Sequence, residues 1–151
     1  MSLNEEVELL RNIPLFARIE PSKLKLLAFT SERLSYQRGQ DLCVQGEDGD
    51  SAYIIIEGTA EVIVNTPTGP LTVAGMKKND VVGEIAILCD VPRTATVTST
   101  GKTVTLRISK ELFFRLITEF PQIAVEVMRE LAHRLEKTNL QLREARVGKP
   151  H

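Results

Sequence analysis

The sequence predicts a mainly β protein, an antiparallel roll or barrel, with helices at both ends of the chain. Two observations lead to this fold class. Between residues 31 and 108, apolar and polar residues alternate in short runs that glycine-containing turns separate, a pattern typical of antiparallel strands. Before and after that region, the apolar residues recur at the three- and four-residue intervals of amphipathic helices.

The composition is that of one ordinary globular domain. A chain of 151 residues is long enough for a single domain, and its net charge of −1 gives no basic excess for nucleic acid or a membrane surface. The amino terminus lacks the layout of a signal peptide, and no apolar run approaches the roughly 18 residues of a membrane span. The two cysteines, Cys43 and Cys89, lie in apolar contexts. We therefore expect a cytoplasmic protein with free thiols, no membrane span and no direct binding of nucleic acid.

Two short helices are predicted in the first 30 residues. Apolar residues among charges indicate a helix over residues 4–12, and the proline within residues 13–16 interrupts it. Pro21 then lies in the first turn of a second helix, where proline is well tolerated. The apolar face of that helix is predicted to consist of Leu24, Leu26, Leu27 and Phe29.

The alternating region contains seven recognisable strands. They are predicted around residues 34–36, 42–44, 53–56, 60–64, 71–76, 94–100 and 104–108. Residues 65–69 are predicted to form a hairpin loop. The acidic, glycine-containing loop Gly46–Asp50 could suggest calcium, but a hand-type calcium loop needs twelve residues and a terminal glutamate. We interpret these five residues as a plain turn.

Residues 83–97 are the stretch around which the other elements are organised. Gly83 allows the backbone to approach a ligand closely, and the amides of Ile85 and Ala86 begin a short helical turn whose unpaired N–H groups suit an anion. Arg93 supplies a planar fork of donors that matches a phosphate, whereas Glu84 only accepts hydrogen bonds. A cyclic nucleotide would satisfy both, with its phosphate on Arg93 and its ribose 2′-hydroxyl on Glu84. The alternative is an internal ion pair between the two side chains in a loop that binds nothing.

The same stretch resembles the phosphate-binding cassette of the cyclic nucleotide-binding domain family, found in catabolite activators and in cyclic-nucleotide-dependent kinases and channels. The family pattern appears here as Gly-Glu-Ile-Ala-Ile-Leu at residues 83–88 and Pro-Arg-Thr-Ala-Thr-Val at residues 92–97. The chain departs from it at Asn79, where glycine is usual, and at Val82, where phenylalanine is usual. Asparagine tolerates the left-handed conformation, so we expect the turn at residue 79 to persist.

The resemblance extends over nearly the whole chain and implies an architecture. It implies an eight-stranded antiparallel β-roll (a double-stranded β-helix, or jelly roll) over residues 31–108. An N-terminal helical motif would occupy residues 1–30, two C-terminal helices residues 109–146, and a tail residues 147–151.

The resemblance also implies a ligand, cAMP or cGMP, and a set of contacts. The amides of Ala86 and Thr94 would donate to the phosphate. The Thr94 hydroxyl would favour cGMP or permit both nucleotides, unless it is only a strand residue. Leu140 would be a lid residue over the base, or else an ordinary exposed leucine. The predicted ligand-binding residues are Gly83, Glu84, Ile85, Ala86, Arg93, Thr94 and Ala95.

Metal-dependent enzymes with a jelly-roll fold are a different class that the sequence argues against. Their metal sites need a cluster of imidazoles on the strands. The two histidines here are His133, in a predicted helix, and His151, the last residue. No nucleophile with an adjacent base is recognisable either, so we predict no catalytic residue, no metal and no enzymatic activity.

The carboxy-terminal part is predicted to be helical, with Ser109 capping a helix over residues 111–119 and a longer helix from Pro121 to about Arg146. A heptad pattern over residues 124–145 predicts a homodimer seam, and Ile123 and Val127 form a second apolar stripe. The heptad residues are Ala124, Met128, Leu131, Leu135, Thr138, Leu142 and Ala145.

No helix-turn-helix follows the last predicted helix. We therefore expect a ligand-driven sensor whose output partner is unknown, with a ligand-free interaction module of the same fold as the alternative.

Overall fold

The computed structural model describes residues 3–13 and 16–147, with the backbone alone for residues 138, 142 and 145–147. It contains two compact units, Met1–Arg115 and Leu116–His151. The described helices are α1 Leu3–Arg11, α2 Pro21–Thr30, α3 Glu84–Cys89, α4 Lys110–Glu119 and α5 Pro121–Val147. The described strands are β1 Glu32–Tyr36, β2 Asp41–Cys43, β3 Ser51–Glu57, β4 Ala60–Thr66, β5 Gly69–Met76, β6 Val81–Val82, β7 Thr96–Ser99 and β8 Thr103–Ser109.

The eight described strands form two four-stranded antiparallel sheets, as an antiparallel β-roll requires. The first sheet has the order β1-β8-β3-β6 and the second the order β2-β7-β4-β5. Seven of these strands lie where the sequence predicted strands. The eighth is β6, whose two valines pair with Tyr53 and Ile54 and escape recognition because two residues cannot show a period.

The two central strands of the first sheet, β8 and β3, are buried on both faces. Six consecutive residues of β3, Ser51 to Ile56, are buried, which explains why this strand reads as a continuous apolar run. On one face Tyr53 and Ile55 join a cluster with Leu42 and Val97 from the second sheet, so this face lines the interior of the roll. The alternate residues, among them Ile54 and Leu106, are buried on the other face.

The amino-terminal helices bury one stripe each and leave the rest in solvent. In α2, Leu24 and Leu27 are buried, and Glu6 of α1 forms an ion pair with Arg33 of β1 at 3.8 Å. The prediction that Leu26 and Phe29 belong to the buried apolar face of α2 was wrong, since Leu26 is 50% and Phe29 is 79% exposed. These two residues are three apart and share the opposite side of the helix.

Several predicted boundaries shift for identifiable reasons. Strand β7 begins at Thr96 instead of Thr94, because the backbone of the preceding Arg93 pairs with another loop. The predicted hairpin loop at residues 65–69 shrinks to residues 67 and 68, since Thr66 pairs with Gly69. The left-handed turn at Asn79 is confirmed by its φ of 78°.

The carboxy-terminal helices begin as predicted. The Leu112 amide donates to Ser109 Oγ at 3.2 Å, which makes Ser109 the cap of α4. In α5, Ile123 and Val127 are buried, whereas Met128 and Leu135 of the heptad stripe are about 60% exposed. The side chains of Thr138, Leu142 and Ala145, and the predicted tail at residues 148–151, lie outside the described residues, as do Pro14 and Leu15. Over the described residues, no helix is both long and apolar enough to cross a bilayer.

Candidate functional site

The predicted cassette begins with a turn that only glycine makes easily. Gly83 has a φ of +90° and immediately precedes α3, so the chain reverses into the helix at a left-handed residue. A side chain there would be doubly unfavourable, because a Cβ atom on Gly83 would overlap Nη1 of Arg93. The glycine therefore brings the start of α3 and the arginine together.

Arg93 is the central side chain of the site. It is only 5% exposed, although it lies in a loop between α3 and β7. Its Nη1 donates to the Gly83 carbonyl at 2.9 Å and its Nη2 to the Ser51 carbonyl at 2.8 Å. Because a guanidinium is planar and has five N–H donors, these two bonds fix its plane and leave other donors to face a ligand.

The backbone of Arg93 is held as firmly as its side chain. The Arg93 amide donates to the Glu47 carbonyl at 2.8 Å, and the Gly46 amide donates to the Arg93 carbonyl at 2.9 Å. The same loop touches α3, since a Cβ atom on Gly49 would overlap the Cβ of Ala86. The loop that we interpreted as a plain turn therefore positions both halves of the cassette.

Tyr53 lies beside the guanidinium. The centroid of its ring is 5.8 Å from Cζ of Arg93, within the range of a cation–π contact. The ring belongs to β3 and is 8% exposed. A long contact of 3.4 Å also joins Ser51 Oγ to the Tyr53 hydroxyl, next to the Ser51 carbonyl that accepts from Arg93.

Glu84 is buried at the other end of the cassette. It is the first residue of α3 and only 4% exposed. The hydrogen bonds of the Arg93 guanidinium go to backbone carbonyls. Glu84 also interacts with other parts of the chain, and the internal Glu84–Arg93 pair stays the alternative to a ligand.

The other predicted site residues differ in exposure. Ala86 is buried and Ala95 half-buried, whereas Thr94 is exposed and Ile85 is 37% exposed. Leu140, the predicted lid residue, lies on α5 in the second unit and is 55% exposed. The structure thus brings Gly83, Ala86 and Arg93 together around one turn, and the ligand roles of all these residues stay predictions.

Two partly buried polar side chains, Tyr36 and Cys43, pack against the core cluster that contains Tyr53. Burial raises the pKa of the Cys43 thiol, and the positive charge of Arg93 acts in the opposite direction. Burial also raises the pKa of Tyr36, and the nearby Thr105 hydroxyl lowers it by a smaller amount. Among the described side chains, no group of three His, Cys, Asp or Glu residues could hold a metal ion.

Sequence reasoning missed the groups that orient Arg93. The Gly83 and Ser51 carbonyls are backbone atoms, which every residue has, so the sequence does not indicate that they accept hydrogen bonds from Arg93. Tyr53 lies in a strand that the sequence predicted, but its proximity to Arg93 depends on the tertiary structure. Gly49 carried a signal, because a glycine can mark a close approach of another segment of the chain.

Comparison with known proteins assigns this arrangement to a family. The sequence model described as the cyclic nucleotide-binding domain matches residues 33–120, which is more than half of the chain and includes the whole cassette. The catabolite activator protein of Thermus thermophilus has a similar structure, with a TM-score of 0.75 at 26% identity over 85% of this chain and 61% of that protein.

Two curated relatives have names that describe regulators. A CRP-like cAMP-activated global transcriptional regulator of Mycobacterium tuberculosis is 30% identical over 135 residues, which is 87% of this chain and 59% of the regulator. A cAMP-dependent protein kinase regulatory subunit of Dictyostelium discoideum is 36% identical over 123 residues, which is 79% of this chain and 36% of the subunit. The chain therefore spans less than two thirds of the length of either relative.

Proposed function

The chain belongs to the cyclic nucleotide-binding domain family, and we propose that it binds a 3′,5′-cyclic nucleotide, cAMP or cGMP, inside its β-roll. The proposed role is that of a regulatory sensor without catalytic activity, which passes ligand binding to its carboxy-terminal helices. The names of the relatives support a regulatory role. The proposal for the ligand rests on the chemistry of the cassette.

The observation that carries the proposal is a buried cation whose hydrogen-bond acceptors are neutral. Arg93 is 95% buried, and in the described part of the chain its guanidinium donates to two carbonyls that cannot neutralise its charge. A buried charge is unfavourable unless it is paired, so such a site favours an anion. The singly charged phosphate diester of a cyclic nucleotide matches the single charge and the planar donors of Arg93.

Calorimetric titration of the purified protein tests the proposal. We expect cAMP, cGMP or both to bind, and adenosine and guanosine, which lack the phosphate, to bind at least a hundredfold more weakly. Losing hydrogen bonds to a charged group costs about 1.5–3 kcal/mol each, and two of them suffice for that factor. Equal affinity for nucleotide and nucleoside would contradict the phosphate site, and no binding at all would favour the interaction module.

Glu84 is proposed to accept a hydrogen bond from the ribose 2′-hydroxyl. Its burial at the start of α3, beside the residue that orients Arg93, supports this role. A 2′-deoxy cyclic nucleotide would leave the carboxylate without that donor and should bind clearly more weakly than its parent nucleotide. If Glu84 only supported the loop, Glu84→Gln would weaken both ligands by the same factor.

Thr94 is proposed to favour cGMP or to permit both nucleotides. The exposure of its side chain beside the buried Arg93 leaves it free to meet a ligand. Its hydroxyl could accept a hydrogen bond from the guanine amino group, which adenine lacks at that position. Titration of both nucleotides against Thr94→Ala tests this, because an unchanged preference ratio would show that the threonine has only a strand role.

Transmission is proposed to run from the cassette into α4 and from there to α5. Two contacts at the start of α4 support the first step. The Lys110 amide donates to the Asp50 carbonyl at 2.9 Å, and Lys110 Nζ lies 3.5 Å from the Asp90 carboxylate at the end of α3. Hydrogen exchange in residues 121–146 should therefore change when nucleotide is added, and exchange that ignores the ligand would contradict both the transmission and the lid role of Leu140.

A homodimer through residues 124–145 is the proposed quaternary structure. The exposure of Met128 and Leu135, two apolar residues on the heptad stripe of α5, supports it. Light scattering with and without nucleotide, on the wild type and on Leu135→Asp, tests the seam. We expect a dimer that Leu135→Asp dissociates, whereas a monomer in every condition would contradict this part of the proposal.

A further inference from the structure

One aromatic side chain outside the cassette, Tyr53, lies against the Arg93 guanidinium. We propose that Tyr53 is the positioning residue of the ligand site, and that its ring holds the Arg93 guanidinium in the orientation that receives the phosphate. The inference rests on the proposed function for its ligand, but the contact itself exists without ligand. The ring centroid lies 5.8 Å from Cζ of Arg93.

Two hydrogen bonds restrain the Arg93 guanidinium from the backbone, and the Tyr53 ring is its third neighbour. Its two amino nitrogens donate to the carbonyls of Gly83 and Ser51, which belong to different segments of the chain. On the side of Gly83, space for a Cβ atom is already taken by Nη1. These contacts fix the arginine against backbone, and the Tyr53 ring adds a side-chain contact to a charge that has only neutral hydrogen-bond partners.

The ring has the chemistry that this position needs. The face of an aromatic ring carries negative partial charge, so it attracts a buried guanidinium without neutralising it. A carboxylate in the same place would pair with Arg93 and repel the phosphate. The aromatic ring instead keeps the full positive charge available to an incoming anion while it reduces the cost of burying that charge.

Tyr53 itself is immobile enough to serve as a reference point. It lies in the middle of the first sheet, where its backbone pairs with Val82 of β6 and Arg107 of β8. Its side chain is 8% exposed and packs in the core cluster with Leu42 and Val97 from the second sheet. The ring is therefore held by both sheets, and it restricts the movement of the Arg93 side chain in the loop.

The ring, and not the hydroxyl, is the group that acts on Arg93. The hydroxyl makes only a long 3.4 Å contact with Ser51 Oγ, which also donates to Asp50 Oδ1 at 3.0 Å. Tyr53→Phe keeps the ring and removes the hydroxyl, whereas Tyr53→Leu keeps an apolar side chain and removes the ring. The pair of variants therefore separates the cation–π contact from packing and from the hydroxyl.

The first measurement uses the protein without ligand. In NMR spectra of the arginine side-chain N–H groups, the signal that Arg93→Lys removes should be protected from solvent exchange in the wild type and in Tyr53→Phe. In Tyr53→Leu that signal should exchange faster than in Tyr53→Phe, because the guanidinium keeps its two carbonyl acceptors but loses the ring that packs beside it. As a packing control, Ile55→Val lies two residues along the same strand and should lower the melting temperature without affecting the Arg93 signal.

The second measurement is the affinity for cAMP and cGMP. Tyr53→Leu should bind the preferred nucleotide about threefold to thirtyfold more weakly, the range of a cation–π contact, and Tyr53→Phe should stay within about twofold of the wild type. Protection of Arg93 that is as strong in Tyr53→Leu as in Tyr53→Phe would overturn the inference, and so would equal loss of affinity in the two variants. If the wild type binds neither nucleotide, the proposed function fails, and the NMR result still decides the role of Tyr53.

Discussion

Strands β3 and β5 are both mainly apolar but lie in opposite environments. Both are rich in β-branched and small apolar residues, yet six residues of β3 are buried and none of β5 is. β3 runs between β8 and β6 inside the first sheet, whereas β5 forms an edge of the second. The candidate site uses β3 alone of the two, through the Ser51 carbonyl and the Tyr53 ring.

The contrast between β3 and β5 shows which strands can position a side chain in a loop accurately. A loop side chain is placed as accurately as the groups that hold it, and groups on a doubly buried strand move little. An edge strand such as β5, with Leu71 57% and Val73 49% exposed, could not offer such support. We therefore expect substitutions near β3 to affect both stability and ligand binding, and similar substitutions on β5 to affect neither.

The largest effect should come from removing a buried side chain of β3. Ile54 is fully buried on the face of the sheet that points away from the ligand site, so Ile54→Ala should lower the free energy of unfolding by about 2–5 kcal/mol. Leu71→Ala on β5 is the matched truncation and should stay within about 0.5 kcal/mol of the wild type. Chemical denaturation measures both, and a similar loss of unfolding free energy in the two variants would contradict the contrast between β3 and β5.

Alanine substitutions of two glycines, one beside β3 and one on β5, should show the same contrast with a smaller loss of stability. An added Cβ on Gly49, just before β3, overlaps the Ala86 side chain, so Gly49→Ala should displace the loop from α3 and cost about 1–3 kcal/mol. It should also weaken nucleotide binding, since this loop holds the backbone of Arg93. Gly75→Ala on β5 meets no atom within 4 Å and should leave stability and affinity nearly unchanged. A Gly49→Ala protein with full affinity would separate the loop from the site.

The smallest effects concern two threonines on β8, the strand that pairs with β3. Both are fully buried, but the Thr103 hydroxyl bonds to the carbonyls of Thr59 and Gly101 while Thr105 Oγ1 has no hydrogen-bond partner among the described residues. Thr103→Val should therefore lower the melting temperature, and Thr105→Val should leave it equal or raise it, each by about 2–4 °C. Changes of the same sign would contradict this distinction.

Most of the fold and the chemistry of the cassette could be predicted from the residue types. The short alternating runs between glycine-containing turns predicted the roll, and the isolated charges Glu84 and Arg93 predicted the site. What could not be predicted depends on tertiary pairing. The acceptors of Arg93 are backbone carbonyls, the start of β7 is delayed by bonds to residues 46 and 47, and the exposure of Phe29 depends on which side of α2 is covered.

The most direct test of the account is the affinity of Arg93→Ala for cyclic nucleotide, measured by calorimetry beside a matched surface variant. Arg11→Ala removes an arginine that forms an exposed ion pair with Glu8, and it should bind like the wild type. Arg93→Ala should remain folded by circular dichroism and bind at least a hundredfold more weakly. Wild-type affinity in a folded Arg93→Ala protein would contradict the central claim that this buried guanidinium receives the phosphate.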